Sequence, residues 1–190
     1  MNNALIMFCA AGLLAAAGAA QAHVVVYTTS LSGPNEAPPN NSPGTGTSTV
    51  TVDLDLLTMR VEVQFQGLLG NVTACHIHGP TLVALQGTAG VMTPVPSFPG
   101  FPHGGTSGVY DQTFDLTQAS TYNPAFVTAS GGTIAQAMNR LLLALDEDKS
   151  YVNIHTNQFP GGEIRGFLIP TPGAMAMFAL CGLAAARRRR

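Results

Sequence analysis

Positive charge is scarce in this chain. Lysine occurs once, at Lys149, tryptophan is absent, and charged residues make up 9% of 190 positions. Soluble domains usually carry about a quarter. Disorder by charge repulsion is excluded, because 46% of the residues are hydrophobic and the net charge is only −2. Cysteine is nearly as sparse. Cys9 and Cys181 lie in apolar runs at the two ends, so Cys75 is alone between them and no intramolecular disulfide can form there. A Gly-x-Ser-x-Gly elbow, a Walker loop and a His-Glu-x-x-His pair are also missing, which removes the sequence support for the corresponding hydrolase, nucleotide and zinc-protease sites. Glycine (21) and proline (13) are plentiful instead, as in a turn-rich β protein.

The ends are apolar. Residues 4–20, "ALIMFCAAGLLAAAGAA", lead into "AQA" at 20–22, a small-x-small pattern that predicts a signal peptide over 1–22 and cutting by signal peptidase after Ala22. No Lys or Arg precedes the run, and an uncleaved membrane anchor is the alternative, although its apolar core is short against the roughly 20 residues a bilayer needs. At the other end Pro170-Thr171-Pro172-Gly173 is followed by an apolar run, 174–186, and then by Arg187, Arg188, Arg189 and Arg190. A basic cluster after a short apolar helix is held on the cytoplasmic side. Proline motif, apolar helix and basic end, in this order, resemble the PEP-CTERM sorting tail of Gram-negative bacteria. The resemblance implies transient membrane contact through the apolar segment and recognition by an exosortase-type enzyme. The motif reads Pro-Thr-Pro-Gly here in place of Pro-Glu-Pro, and a plain tail anchor is the alternative. The expected division is a signal peptide (1–22), one folded domain (23–169) and a sorting signal (170–190), with helical apolar segments at both ends.

The central region keeps all ten acidic residues but only four basic ones, a formal charge of −6, which excludes a basic nucleic-acid surface. Its pattern is mostly β. "VVVYTTSL" (24–31) is β-branched, and "TSTVTVDLDL" (47–56) and "MRVEVQFQGL" (59–68) alternate as a hairpin joined at 57–58. Further strands are expected at 71–80, 106–117, 151–156 and 163–169, and "MTPVPSFPGFPHGG" reads as a surface loop. One helix is expected over 133–148, where Ile134, Ala137, Met138, Leu141, Leu142 and Leu145 make a single stripe and Thr133 with Gln136 makes a capping box. The fold class is therefore all-β: an antiparallel sandwich or Greek key with one helix in a long connection.

Side chains at i and i+2 share a strand face. His76 and His78 in "TACHIHGP" therefore project together, Cys75 goes to the opposite face as a buried, inert thiol, and "YVNIHT" places Tyr151, Asn153 and His155 on one face. If the two strands are neighbours, three neutral imidazoles meet, a donor set suited to Zn or Cu. The other reading is that loop carbonyls satisfy these rings. Glu36 and Glu163 are candidate additional ligands, while an Arg165–carboxylate pair would brace a hairpin. Cutting after Ala22 would also expose His23 as an amino-terminal copper chelator.

"LSGPNEAPP" (31–39), "VTACHIHGP" (72–80) and "YVNIHTNQFPGGEIRGFL" (151–168), in this order, resemble the CHRD domain, which is named for its repeats in chordin and also occurs singly in secreted bacterial proteins. The resemblance carries over Asn35, Glu36, His76, His78, Gly79, Pro80, Asn153, His155, Gly161, Gly162, Glu163, Arg165 and Gly166, and Cys75 stands where the family commonly has a small residue such as Ala. It implies a β-sandwich of immunoglobulin-like or Cu/Zn superoxide-dismutase-like type. Dismutase activity is not carried over, since the disulfide of that family cannot form here. Two functions follow. The first is an exported, non-catalytic binding or structural module of the cell envelope, cell surface or extracellular matrix, with an exopolysaccharide component as a partner. The second is a secreted Zn or Cu metalloprotein, an enzyme in one version, that uses His76, His78 and His155.

Overall fold

The computed structural model describes residues 23–171, so the expected signal peptide and the tail from Pro172 onward lie outside the described residues. The strands are β1 (Val24–Ser32), β2 (Thr45–Asp53), β3 (Thr58–Gln66), β4 (Val72–His78), β5 (Gly108–Asp115), β6 (Tyr151–Thr156), β7 (Ile164–Phe167) and a two-residue β8 (Ile169–Pro170). They form one curled antiparallel sheet in the order β4-β6-β7-β1-β2-β3-β5, with β8 on β1. The all-β, sandwich-like expectation holds, and curling of this one sheet supplies the shape.

Alternation explains the core. Val50, Val52, Met59, Val61, Val63 and Phe65 are at most 2% exposed on the inner face of the β2–β3 hairpin. Each such side chain contributes about 1.5–3 kcal/mol by leaving water. The hairpin turns earlier than the sequence suggested. Asp53 Oδ1 accepts from the amides of Asp55 and Leu56, ending β2 at Asp53, and Leu57 takes a φ of 53°. Leu54 and Leu56 therefore leave the strand, and Leu56 is exposed.

The expected helix is present as α2 (Ile134–Asp146); Thr133 caps it, accepting from the Gln136 amide and donating to the Gln136 side chain. Its buried stripe is Ala137, Leu141, Ala144 and Leu145. A second helix, α1 (Pro124–Ala129), corrects the expectation of one helix. Asn123 caps it, and Pro124 occupies the first turn, where a missing N–H costs nothing.

The expected surface loop at 92–105 is the other correction. Met92, Thr93, Phe98 and Phe101 are buried in it, and its first part pairs with the outer edge of β4. Met92 N donates to Ile77 O and Phe98 N to Cys75 O; in return Ile77 N donates to Thr93 Oγ1 and Cys75 N to Ser97 Oγ. A bare edge strand thus has its backbone groups satisfied. Among the described residues, no helix is long and apolar enough to cross a membrane.

Candidate metal centre

β4 and β6 are neighbours, with His76 opposite Asn153, His78 opposite Tyr151 and Cys75 opposite Ile154. Alternation then sorts the faces. Cys75, Ile77, Val152 and Ile154 enter the core, while His76, His78, Asn153 and His155 stand on the other face. Burial raises the Cys75 thiol well above its ordinary range, which keeps it protonated and inert. The outer face is not open to water. The 81–105 loop, the loop at Gly33–Asn40 and the turn at 157–162 wall it in, so that His76 and His78 are only 6% and 8% exposed.

Each imidazole has one nitrogen fixed by a loop. His76 Nε2 lies 2.7 Å from Pro96 O, His78 Nδ1 3.0 Å from Ala89 O, and His155 Nδ1 2.9 Å from Pro160 O. A carbonyl only accepts, so each of these nitrogens carries the proton and the opposite nitrogen presents a lone pair. The bare nitrogens are His76 Nδ1, which is buried without a partner, and the Nε2 atoms of His78 and His155, which lie 3.4 Å apart. The three ring centroids form a triangle with sides of 5.3, 5.5 and 5.6 Å. One ring nitrogen from each histidine lies within 4.8 Å of the other two.

Burial is the main cause of the lowered pKa values. It takes His76 and His78 down to about 4 and lowers His155; the carbonyl bonds oppose it, and the neighbouring imidazoles add repulsion for His76 and His78. The rings are therefore neutral near pH 7, the form that binds metal. Two lone pairs at 3.4 Å fit a shared cation: tetrahedral coordination with Zn–N bonds of 2.0–2.1 Å separates nitrogens by about 3.3–3.4 Å. The backbone carbonyls on the far nitrogens are the usual outer support of metal-ligating histidines. Loop carbonyls thus satisfy one nitrogen of each ring and leave the other facing the cluster.

Neither carboxylate joins the three rings as a ligand. Glu163 instead accepts from Ser42 Oγ, Thr156 Oγ1, Leu69 N and Gly70 N, at 2.6–3.1 Å. Burial pushes its carboxyl up, but these four bonds together outweigh that and hold it below the ordinary carboxylate range. Glu36 Oε2 lies 3.8 Å from Arg165 Nε. Burial raises Glu36 to about 7 against the opposing pull of Arg165 and the Ala37 amide. The partner of Arg165 is therefore Glu36, not Glu163. Arg165 also donates to Asn35 O and Gly87 O and covers the Tyr151 ring at 4.8 Å, and Tyr151 stacks on His78 at 5.0 Å. His78 is thus held from behind by a stack anchored in two loops. Gly162, with φ 131°, leaves no room for a Cβ beside Asn153 and Glu36. Gly79-Pro80 ends β4, and the Gly79 amide donates to Gly90 O. His23 directs both its amide and its Nδ1 at Asp55, each at 3.0 Å, just beyond the end of the β1–β2 pair. Sequence reasoning missed Ser97, Thr93, Pro96 and Ala89, which hold β4 or its rings through single atoms and leave no pattern in the chain.

Glu36, His76, His78, Asn153, His155 and Arg165, drawn from the three sequence blocks, thus lie on one side of β4, β6 and β7. No curated protein and no solved structure matches the chain. The sequence model of the CHRD domain matches residues 27–168, from the middle of β1 to just past β7, and by that match the chain belongs to the CHRD domain family.

Proposed function

We propose that this CHRD domain is an exported binding or structural module whose centre is a transition-metal site formed by His76, His78 and His155. Family membership supports the module, because a CHRD domain suggests a binding or structural role and occurs in extracellular or secreted proteins. The observation that carries the metal is the 3.4 Å separation of two bare Nε2 atoms, each on a ring whose other nitrogen is pinned to a backbone carbonyl. Three neutral imidazoles suit Zn or Cu, and the tetrahedral spacing favours Zn. The ion would tie β4 to β6 and to the three covering loops, a stabilising role that needs no reaction. The leader-like and tail-like ends support export to the envelope or beyond.

The test is metal analysis of protein made without a His tag. About one Zn or Cu per chain is expected, and it should be lost in a His76→Ala/His78→Ala variant. A wild-type protein that takes up neither ion and melts identically with and without chelator overturns the reading.

A further inference from the structure

Three neighbouring groups on the metal-site face carry buried atoms without a hydrogen-bond partner: His76 Nδ1, Asn153 Oδ1 and Glu36 Oε1. They are connected. His76 and Asn153 are direct partners across β4 and β6, and His155 follows Asn153 two residues on, on the same face. Asn153 Oδ1 and Glu36 Oε1 both lie within 2.6 Å of one point, the position that a Cβ on Gly162 would take. Asn153 and Glu36 are 3% and 7% exposed, so bulk water does not satisfy these oxygens. Glu36 Oε2 faces Arg165, while Oε1 is left toward Asn153. Two unpaired acceptors side by side in a buried place call for a ligand with hydrogens to donate.

Three imidazoles leave a tetrahedral ion one open position. Water bound there through an oxygen lone pair keeps two O–H donors, and Asn153 and Glu36 offer two free acceptors. From this match we infer that Glu36 and Asn153 cap the metal's fourth position, select a neutral ligand that donates two hydrogen bonds, water foremost, and reject anions. The inference rests on the three-histidine site proposed above. It joins the Asn-Glu pair at 35–36 to the Asn-x-His triplet at 153–155 in one centre, where the histidines hold the ion and the Asn153 and Glu36 side chains decide what else it holds. Glu36 acts as a positioning residue. Arg165 keeps its carboxylate in place, and Gly162, lacking a Cβ, lets that carboxylate approach Asn153.

Two measurements test this. A crystal structure of the Zn-loaded protein should show an oxygen on the ion within about 3.2 Å of both Asn153 Oδ1 and Glu36 Oε1. In solution, Co2+ serves as a visible probe, and azide, which displaces the fourth ligand, shifts its absorption. At pH 8.5, where Glu36 is ionised, Glu36→Gln should retain one Co2+ per chain and bind azide about tenfold more tightly, because a negative charge beside the anion is gone. Equal azide affinity with full Co2+ occupancy in both proteins, or a fourth ligand remote from Glu36 and Asn153, overturns the cap and leaves the metal centre standing. No uptake of Zn2+ or Co2+ by the wild type overturns both. The crystal structure needs no substitution, so it decides the matter if Glu36→Gln does not fold.

Discussion

A fully buried carboxylate persists at Glu163 because four donors from three separate segments meet it. Glu163→Gln would keep the size but turn an NH2 group toward donors, leaving at least one amide or hydroxyl unpaired. The expected loss is about 2–3 kcal/mol of stability, seen as a lower urea midpoint with unchanged slope. The histidines make a different residue-scale prediction for the metal-free protein. His76 and His78 titrate near 4 when folded, against about 6.5 in an unfolded chain. Between those values the unfolded chain binds more protons, so stability falls as pH drops through the window. The loss is about 3–3.5 kcal/mol per ring at most. Glu36 acts oppositely: with its folded pKa raised to about 7, it adds stability as pH falls from there toward 4.5. Melting temperatures from pH 7 to pH 4, with chelator present, should fall steeply in the wild type and less in a His76→Gln/His78→Gln variant. Parallel curves would remove the burial argument.

At the scale of elements, β4 is held by the 91–98 segment as well as by β6. Ser97 Oγ takes the Cys75 amide and Thr93 Oγ1 takes the Ile77 amide, both in the interior. Ser97→Ala should therefore leave a buried N–H unpaired and cost about 1–3 kcal/mol. Hydrogen exchange would place the damage, with the Cys75 and Ile77 amides losing protection before those of β2 and β3. The same segment shows why part of the fold escaped the sequence. Strands β2 and β3 have period-2 alternation, β1 is β-branched and α2 has a long apolar stripe, so these were legible. The cover over β4 is built from Gly, Pro, Ser and Thr and pairs partly through hydroxyls, so it reads as exposed loop. Helix α1, with six residues, is too short for its period to show, although Asn123-Pro124 was a usable start signal. For the site, alternation put His76 with His78, and Asn153 with His155, on shared faces. That β4 lies against β6, far along the chain, with His78 opposite Tyr151, is a fact of topology that no local pattern carries.

For the whole molecule, the sheet, the site and the ends bear on one another. β8 closes the domain by pairing Ile169 and Pro170 with Thr28 and Tyr27, and the Thr171 amide donates to Val26 O at 2.8 Å. The first two residues of the Pro170–Gly173 motif are thus tied to β1. On the reading of Pro170–Gly173 as a sorting signal, the motif begins on a segment paired to β1. Exchanging Pro170, Thr171, Pro172 and Gly173 for Ala in the producing cell tests this. The backbone pairing of β8 survives the change, since alanine keeps every carbonyl and adds an N–H where each proline had none. The melting temperature of the isolated domain should therefore stay within about 2 °C, while intact mass spectrometry of envelope and secreted fractions should show a precursor that keeps 174–190. A mature mass matching that of the wild type would refute processing at this motif, and an unprocessed chain whose domain melts far lower would trace the defect to the sheet rather than to recognition.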